Sequence, residues 1–380
     1  MKTNKLFLII TVAILLLAGF QAQAQRIYPY ITRVYDYCPA PGQFINDLPE
    51  YEDGDTKEDM IRKAEAYIAR DERSLLCLGA YGGYVVFGFD HPVYNYPGEY
   101  DFQLLGNAQA SYSAGGSQIG SSEPGIVLVS YDANGNGEPD DEWYELAGSE
   151  YHNEKTTRSY TITYYRPERD TDAIRWTDNQ GGEGVVPRNA FHTQPYWPQW
   201  IEEDSLVFSG SRLADNGTII KAGTQSFFSL NPYPWGYADN LPNNSEGSKF
   251  KIDWAVDKQG NPVNLPRVDF IKVYTGVNQY LSSLGETSTE ISGAIDLHAG
   301  GSSLDSSEPA SVQLLTNPVG QELIFTSDRE QVVTIYSLNG DRILSYPAQV
   351  GTNRIDCSQL SPALYLLQTE GRNVKFLVNE

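Results

Sequence analysis

"GIVLVSYDANGNGEPDDEWYELAG" (residues 125–148) joins two β-type segments through a loop of Asn, Gly and acidic residues, and its reading sets the fold class. "GIVLVSYD" (125–132) and "WYELAG" (143–148) carry the β-branched and aromatic residues of strands. Between them Asp132, Asn134, Asn136, Gly137 and Asp140 keep the D-x-N-x-N-G-x-x-D spacing of a calcium loop. A helix-type calcium loop follows a helix and carries Glu at its twelfth position. Here a strand comes first and the twelfth residue is Trp143. The stretch therefore reads as an enlarged hairpin turn. Gly135 and Gly137 let the backbone coil so that Asp132, Asn134 and Asn136 converge. Asp140 closes the site directly or through water, and Glu138 adds its carbonyl. The missing bidentate carboxylate has to come from Asp141 or Glu142. A structural Ca2+ is the expected cofactor. The same residues also make an acidic Asn-Gly turn that needs no metal, and both readings stand open here.

Outward from this hairpin the pattern repeats. "YVVFGFD" (84–90), "DFQLLG" (101–106), "RSYTITYYRP" (158–167), "SLVFSG" (205–210), "FKIDWAVD" (250–257) and "VDFIKVYTG" (268–276) are short strand signals bounded by Gly, Pro, Asn or Asp. Eight strands without intervening helices predict a sandwich or jelly roll. One helix is predicted, in "DTKEDMIRKAEAYIAR" (55–70): Asp55 or Thr56 can cap it, and Met60, Ile61, Ala64 and Ile68 recur at helical spacing. The rest of 25–55 reads as irregular. "HAGGSSLDSSEPAS" (298–311) reads as a linker. Four or five further strand signals follow in about 70 residues, near the lower size limit of an independent core.

The chain opens with Lys2 and Lys5, an apolar run "LFLIITVAILLLAGF" and "AQA" at 22–24, the pattern of a signal peptide ending at residue 24. The protein is thus expected to be exported, to the cell surface or beyond, and not membrane-spanning. Its formal net charge of −22 becomes more negative once the two lysines are removed. Such a surface repels nucleic acid and anionic lipid and attracts divalent cations. Of three cysteines, Cys38 and Cys77 are the natural disulfide candidates in an oxidising compartment, with Cys357 left over; three free thiols are the alternative.

"TNPVGQEL" (316–323), "VTIYSLNGDRIL" (333–344), "GTNRIDCSQLSPALYLLQ" (351–368) and the terminal "VKFLVNE" together resemble the C-terminal sorting domain of the Bacteroidetes type IX secretion system. Ala363 stands where that motif often has Gly. The resemblance implies a small Ig-like sandwich over 312–380, recognition by the type IX secretion machinery, and cleavage or surface attachment.

Residues 79–297 resemble discoidin-like, galactose-binding-type jelly rolls of secreted bacterial proteins. The residues that carry it are "GGYVVFGFDHPVYNYPGEYDFQLLGNA" (82–108), "SSEPGIVLVSYD" followed by "WYEL" (121–146), "VDFIKVYTG", and "ISGAIDLHAG" (291–300). The expected architecture is therefore mainly β: a signal peptide (1–24), a segment with one helix (25–78), a discoidin-like β-sandwich (79–297), a linker and the sorting domain. The resemblance implies loops at one end of the sandwich that bind a glycan or other small ligand. A corrinoid is an alternative, since some similar surface proteins are associated with corrinoid uptake.

Two aromatic loops, "HTQPYWPQW" (192–200) and "NPYPWGYADN" (231–240), supply candidate ligand contacts: Tyr196, Trp197, Trp200, Trp235 and Tyr237, with Asn240 as hydrogen-bond partner. Flat rings held by prolines suit sugars; the same rings can instead plug the end of the sandwich. Asp90, Asp101 and Glu123 sit at similar strand ends, where a glycosidase would need two facing carboxylates. No H-E-x-x-H, nucleophile elbow or P-loop occurs. The expectation is a non-catalytic binding protein, with a polysaccharide-acting enzyme or an adhesive surface protein as alternatives.

Overall fold

The computed structural model of the chain describes residues 28–112, 118–222, 225–281, 284–299, 312–315, 319–327, 329–337, 342–369 and 373–378. The expected signal peptide, and all but the first two residues of the expected linker, lie outside these. The described structure is mainly β, with several sheets and one α-helix. It divides into two compact units between Ala299 and Gly300.

The first unit is built on a six-stranded antiparallel sheet. Its order is Arg33–Cys38, Tyr84–Gly88, Phe270–Thr275, Gly125–Ser130, Trp143–Leu146 and Ala255–Val256. The Phe270–Thr275 strand is central: Val273 pairs with Val85 on one side and Val127 on the other. A four-stranded sheet, Glu183–Val186, Ile174–Asp178, Thr157–Tyr165 and Ser205–Arg212, supplies a second layer. Rings join the two layers. Tyr81 meets Tyr160 edge-on at 5.0 Å, Tyr84 meets Phe208 at 6.3 Å, and the Tyr164 hydroxyl donates to the Tyr81 carbonyl at 3.1 Å. Sheet-on-sheet packing of this kind belongs to the β-sandwich class. A three-stranded sheet of Lys249–Phe250, Phe102–Leu105 and Gly293–Asp296 adds to the unit, as do several two-stranded pairs.

The helix spans Lys57–Ile68 and begins with a capping box: Thr56 accepts from the Asp59 N–H while the Asp59 carboxylate accepts from the Thr56 N–H. Met60, Ala64 and Ile68 are buried, and Glu65 accepts from the Val34 N–H at 3.0 Å. One sequence expectation changes here. The stretch 25–55 is not wholly irregular, because "RVYDYC" forms an edge strand of the main sheet. The apolar face of the helix packs: Ile31, Val34, Tyr37 and the helix share one core with Val85, Phe87 and Val127. Conversely, "FKIDWAVD" is broken into two-residue strands around a 3-10 turn at Ile252–Trp254. Asp101 accepts from the Ile252 N–H at 2.7 Å, and Asp253 accepts from Gly98 and Asn95, so polar capping outcompetes the ladder.

The three cysteines are free. Alternation along Arg33–Cys38 explains why Cys38 and Cys77 do not meet. Tyr37 faces Cys77 and donates to its carbonyl at 2.7 Å, which turns Cys38 to the other face, while the Cys77 sulfur lies 3.0 Å from the Ser288 hydroxyl.

The second unit has a three-stranded sheet (Val312–Leu314, Glu322–Ser327, Gly351–Asp356) and a four-stranded sheet (Arg342–Ala348, Gln331–Ser337, Ala363–Gln368, Asn373–Val378). Leu323 and Phe325 from the first pack with Val333, Ile335, Leu367 and Phe376 from the second in a core of their own. Among the described residues no helix is long and apolar enough to cross a membrane.

Candidate functional site

The loop at 132–142 forms as a hairpin turn between Gly125–Ser130 and Trp143–Leu146. Asp132 accepts from the backbone N–H groups of Gly135, Asn136 and Gly137 at 2.8–3.1 Å. Gly135 and Gly137 take φ of 70° and 74°, which lets these three amides turn toward one carboxylate. The side-chain amides of Asn134 and Asn136 donate to the two oxygens of Asp140 at 2.9 and 3.0 Å. Asp132, Asn134, Asn136 and Asp140 are thus gathered. The Glu138 carbonyl accepts from the Asp140 N–H at 2.9 Å within the loop, while its side chain reaches out to Arg33 at 3.4 Å. The Glu142 carboxylate is not gathered: it lies by Tyr144 and Lys258, just before the second strand begins at Trp143. Asp141 accepts from the Ala133 N–H, closing the loop rather than facing its centre.

The aromatic residues form no stacking face. Tyr196 and Trp197 are 0% and 1% exposed, and Trp200, Tyr237 and Asn240 are also buried. Trp200 stacks on Tyr37 and Tyr51; Asn240 bonds Ser122 and Tyr233. These side chains close the sandwich, where burial of large rings gains the most free energy. Only Trp235, packed on Trp254, keeps substantial exposure. The three strand-end carboxylates also go separate ways. Asp90 bonds His91, which bonds Asp296 on its other nitrogen. Asp101 is fully buried and caps Tyr96 and Ile252. Glu123 alone reaches a cavity.

That cavity holds about 440 Å³. Its apolar wall is Phe44, Leu48, Leu75, Phe228, Leu230 and Leu284. Its floor is acidic, and no Lys, Arg or His stands among the described residues that line it. The segment "ETSTE" (286–290) supplies most of the floor: alternate residues Glu286, Ser288 and Glu290 line the cavity, while Thr287 and Thr289 are buried behind. Glu123 comes from the turn before Gly125–Ser130, and its carboxylate accepts from the Ser288 N–H at 3.1 Å. Asp239 lies behind it. Its two oxygens accept from the N–H groups of Asn107, Ala108 and Glu290 at 2.8–3.0 Å, and its carbonyl accepts from Glu123 at 2.9 Å. One carboxylate oxygen from each of Glu123, Asp239 and Glu290 lies within 4.8 Å of the other two.

Burial dominates the electrostatics of this floor. It pushes Glu123 well above the usual carboxylate range, with the charges of Glu290 and Asp239 adding to it. Asp239 is raised by burial against the opposing pull of three backbone N–H groups. Glu290 is raised by burial and then by Asp239. Burial lifts Glu286 to about 7. Like charges so close in a low-dielectric site cannot all ionise uncompensated. The sequence carried a sign of this in the alternating acids of "ETSTE", but Asp239 joins them only through the chain's return from far away.

The chain matches no protein-family model and no curated sequence.

Proposed function

We propose that the protein is an exported, non-catalytic binding protein that takes a small hydroxyl-bearing ligand, such as a glycan unit, into the acid-floored cavity. The cavity itself carries this reading: concave, apolar on one wall, with convergent polar groups on the other, and of the size range of small-molecule sites. A glycan unit offers hydroxyls to carboxylate acceptors and an apolar ring face to Phe44 or Phe228. In this reading the leader carries the chain to export, and the C-terminal unit is the type IX sorting domain. Calcium held by Asp132, Asn134, Asn136 and Asp140 stiffens the main hairpin. The corrinoid alternative loses weight, because a corrinoid ring is much wider than a sugar ring.

Glycan-array screening followed by calorimetric titration tests the reading. Binding that is lost in Phe228→Ala and retained in Trp235→Ala supports it; silence across glycans, or binding of cobalamin instead, removes it. A second reading rests on the raised carboxylates, which are also the equipment of acid–base hydrolysis. It requires release of reducing sugar from polysaccharide, stopped by Glu123→Gln.

A further inference from the structure

The cavity floor presents a chemical problem of its own. Glu123, Asp239 and Glu290 bring three carboxylates into one small volume, and the described lining offers no cationic side chain to balance them. A fourth, Glu286, stands on the same floor and is 5% exposed. One of its oxygens accepts from the Gln43 N–H at 2.6 Å. The other, Oε2, is buried and has no hydrogen-bond partner. Its charge is felt at Glu290. A buried carboxylate oxygen without a partner costs free energy unless something in the cavity meets it.

We propose that Glu123, Asp239 and Glu290 bind one calcium-class divalent cation on the floor of the cavity, with Glu286 facing its open side. Two oxygens on opposite sides of a calcium ion at about 2.4 Å are about 4.8 Å apart. The observed grouping, with one oxygen from each carboxylate within 4.8 Å of the others, therefore fits inside a single coordination sphere. Asp239 Oδ2 accepts one backbone N–H and keeps a lone pair for an ion, whereas Oδ1 accepts two. These amides also fix the carboxylate in place, as supporting groups around metal ligands do. The Ser288 hydroxyl, in the same lining, is engaged by the Gly79 N–H and the Cys77 sulfur, both at 3.0 Å. Protein oxygens leave part of a six-to-eight-fold shell open to the cavity. The cation thereby deepens the binding reading above: ligand hydroxyls complete its shell, and ligand uptake becomes cation-dependent.

The test uses the full mature chain carrying Asp132→Ala and Asp140→Ala, which silences the exposed loop. After chelator treatment, titration with calcium chloride alone should show one equivalent bound and a raised melting midpoint. Glu290→Gln in this background should abolish uptake, yet melt no lower than its parent in chelator, because it removes a buried like charge. Glu286→Gln should weaken uptake by about 10–100-fold. If Glu290→Gln does not fold, Glu123→Gln carries the same test. No uptake in the loop-silenced background, or unchanged affinity in the Gln variants, overturns the site. Metal uptake is read without ligand, so its failure is distinct from failure of the cavity reading. Glycan binding that is equal in calcium and in chelator overturns the bridging role.

Discussion

Single residues carry the loop and the buried charges. Asp132 accepts three backbone N–H groups, so it organises the turn before any ion arrives. Asp132→Ala should remove both that organisation and the calcium dependence of melting. The wild type should gain about 2–3 kcal/mol at a hundredfold excess of calcium over Kd, and the variant none at this loop. Melting in calcium and in chelator, with Glu290→Gln present in both proteins, reads the loop alone. Glu145 offers a separate pH prediction. Burial raises it to about 7, against the opposing effects of the Ser211 hydroxyl at 2.7 Å and the charge of Arg158. The folded protein therefore keeps a proton that the unfolded chain has lost above about pH 4.5. That contribution to stability falls as pH rises from about 4.5 to about 7 and is flat beyond. Glu145→Gln should remove this slope and gain about 1–3 kcal/mol at pH 8 relative to the wild type. Urea unfolding at pH 5 and pH 8 measures it; equal gains at both pH values would contradict the assignment.

At the scale of elements, close backbone approach matters more than propensity. Gly79 precedes the strand Tyr84–Gly88, at φ of 73°, and a Cβ there would lie 1.9 Å from the Ala40 carbonyl oxygen. The contact holds the chain after the first edge strand against the turn into the second, where the Ala40 N–H donates to Leu78 at 3.0 Å. Gly79→Ala should therefore destabilise by about 3 kcal/mol or more, since neither the dihedral nor the space admits a methyl group. Chemical denaturation compared with Gly54→Ala, which meets nothing within 4 Å at φ of 95°, separates the steric cost from the dihedral cost. The helix and the strongly alternating strands were legible from sequence because local pattern and tertiary demand agree there. The edge strand Arg33–Cys38 was hidden by the prolines and turn residues around it. Strands Ile174–Asp178 and Glu183–Val186 were hidden by their mixed composition, as each sits in the smaller sheet with a single fully buried residue, Ile174 and Val186.

For the whole molecule, two separate cores imply two folding units. The core of the first unit draws on residues from Ile31 to Ala294, and that of the second on residues from Val312 to Val378. A chain ending at Ala299 should unfold cooperatively with the midpoint of the first unit in the full chain. Calorimetry of both proteins checks this: the shorter one should lose one transition and keep the other within about 2 °C, whereas loss of cooperative unfolding would show that the first core depends on the second. The acidic composition acts at the same scale. It disfavours anionic partners through long-range repulsion, whatever the fold.

The sequence by itself determined the β class, the one helix and the position of the hairpin loop between Gly125–Ser130 and Trp143–Leu146. Each depends on neighbours a few residues apart, or on composition, so pattern suffices. Only the tertiary structure decided the fate of the aromatic loops and the place of the acidic cavity. Whether Trp197 faces solvent or core depends on what the rest of the sheet leaves uncovered. Glu123, Asp239 and Glu290 are spread over more than 160 residues of the chain and meet only because antiparallel pairing and the Asp239 turn fold them onto one floor.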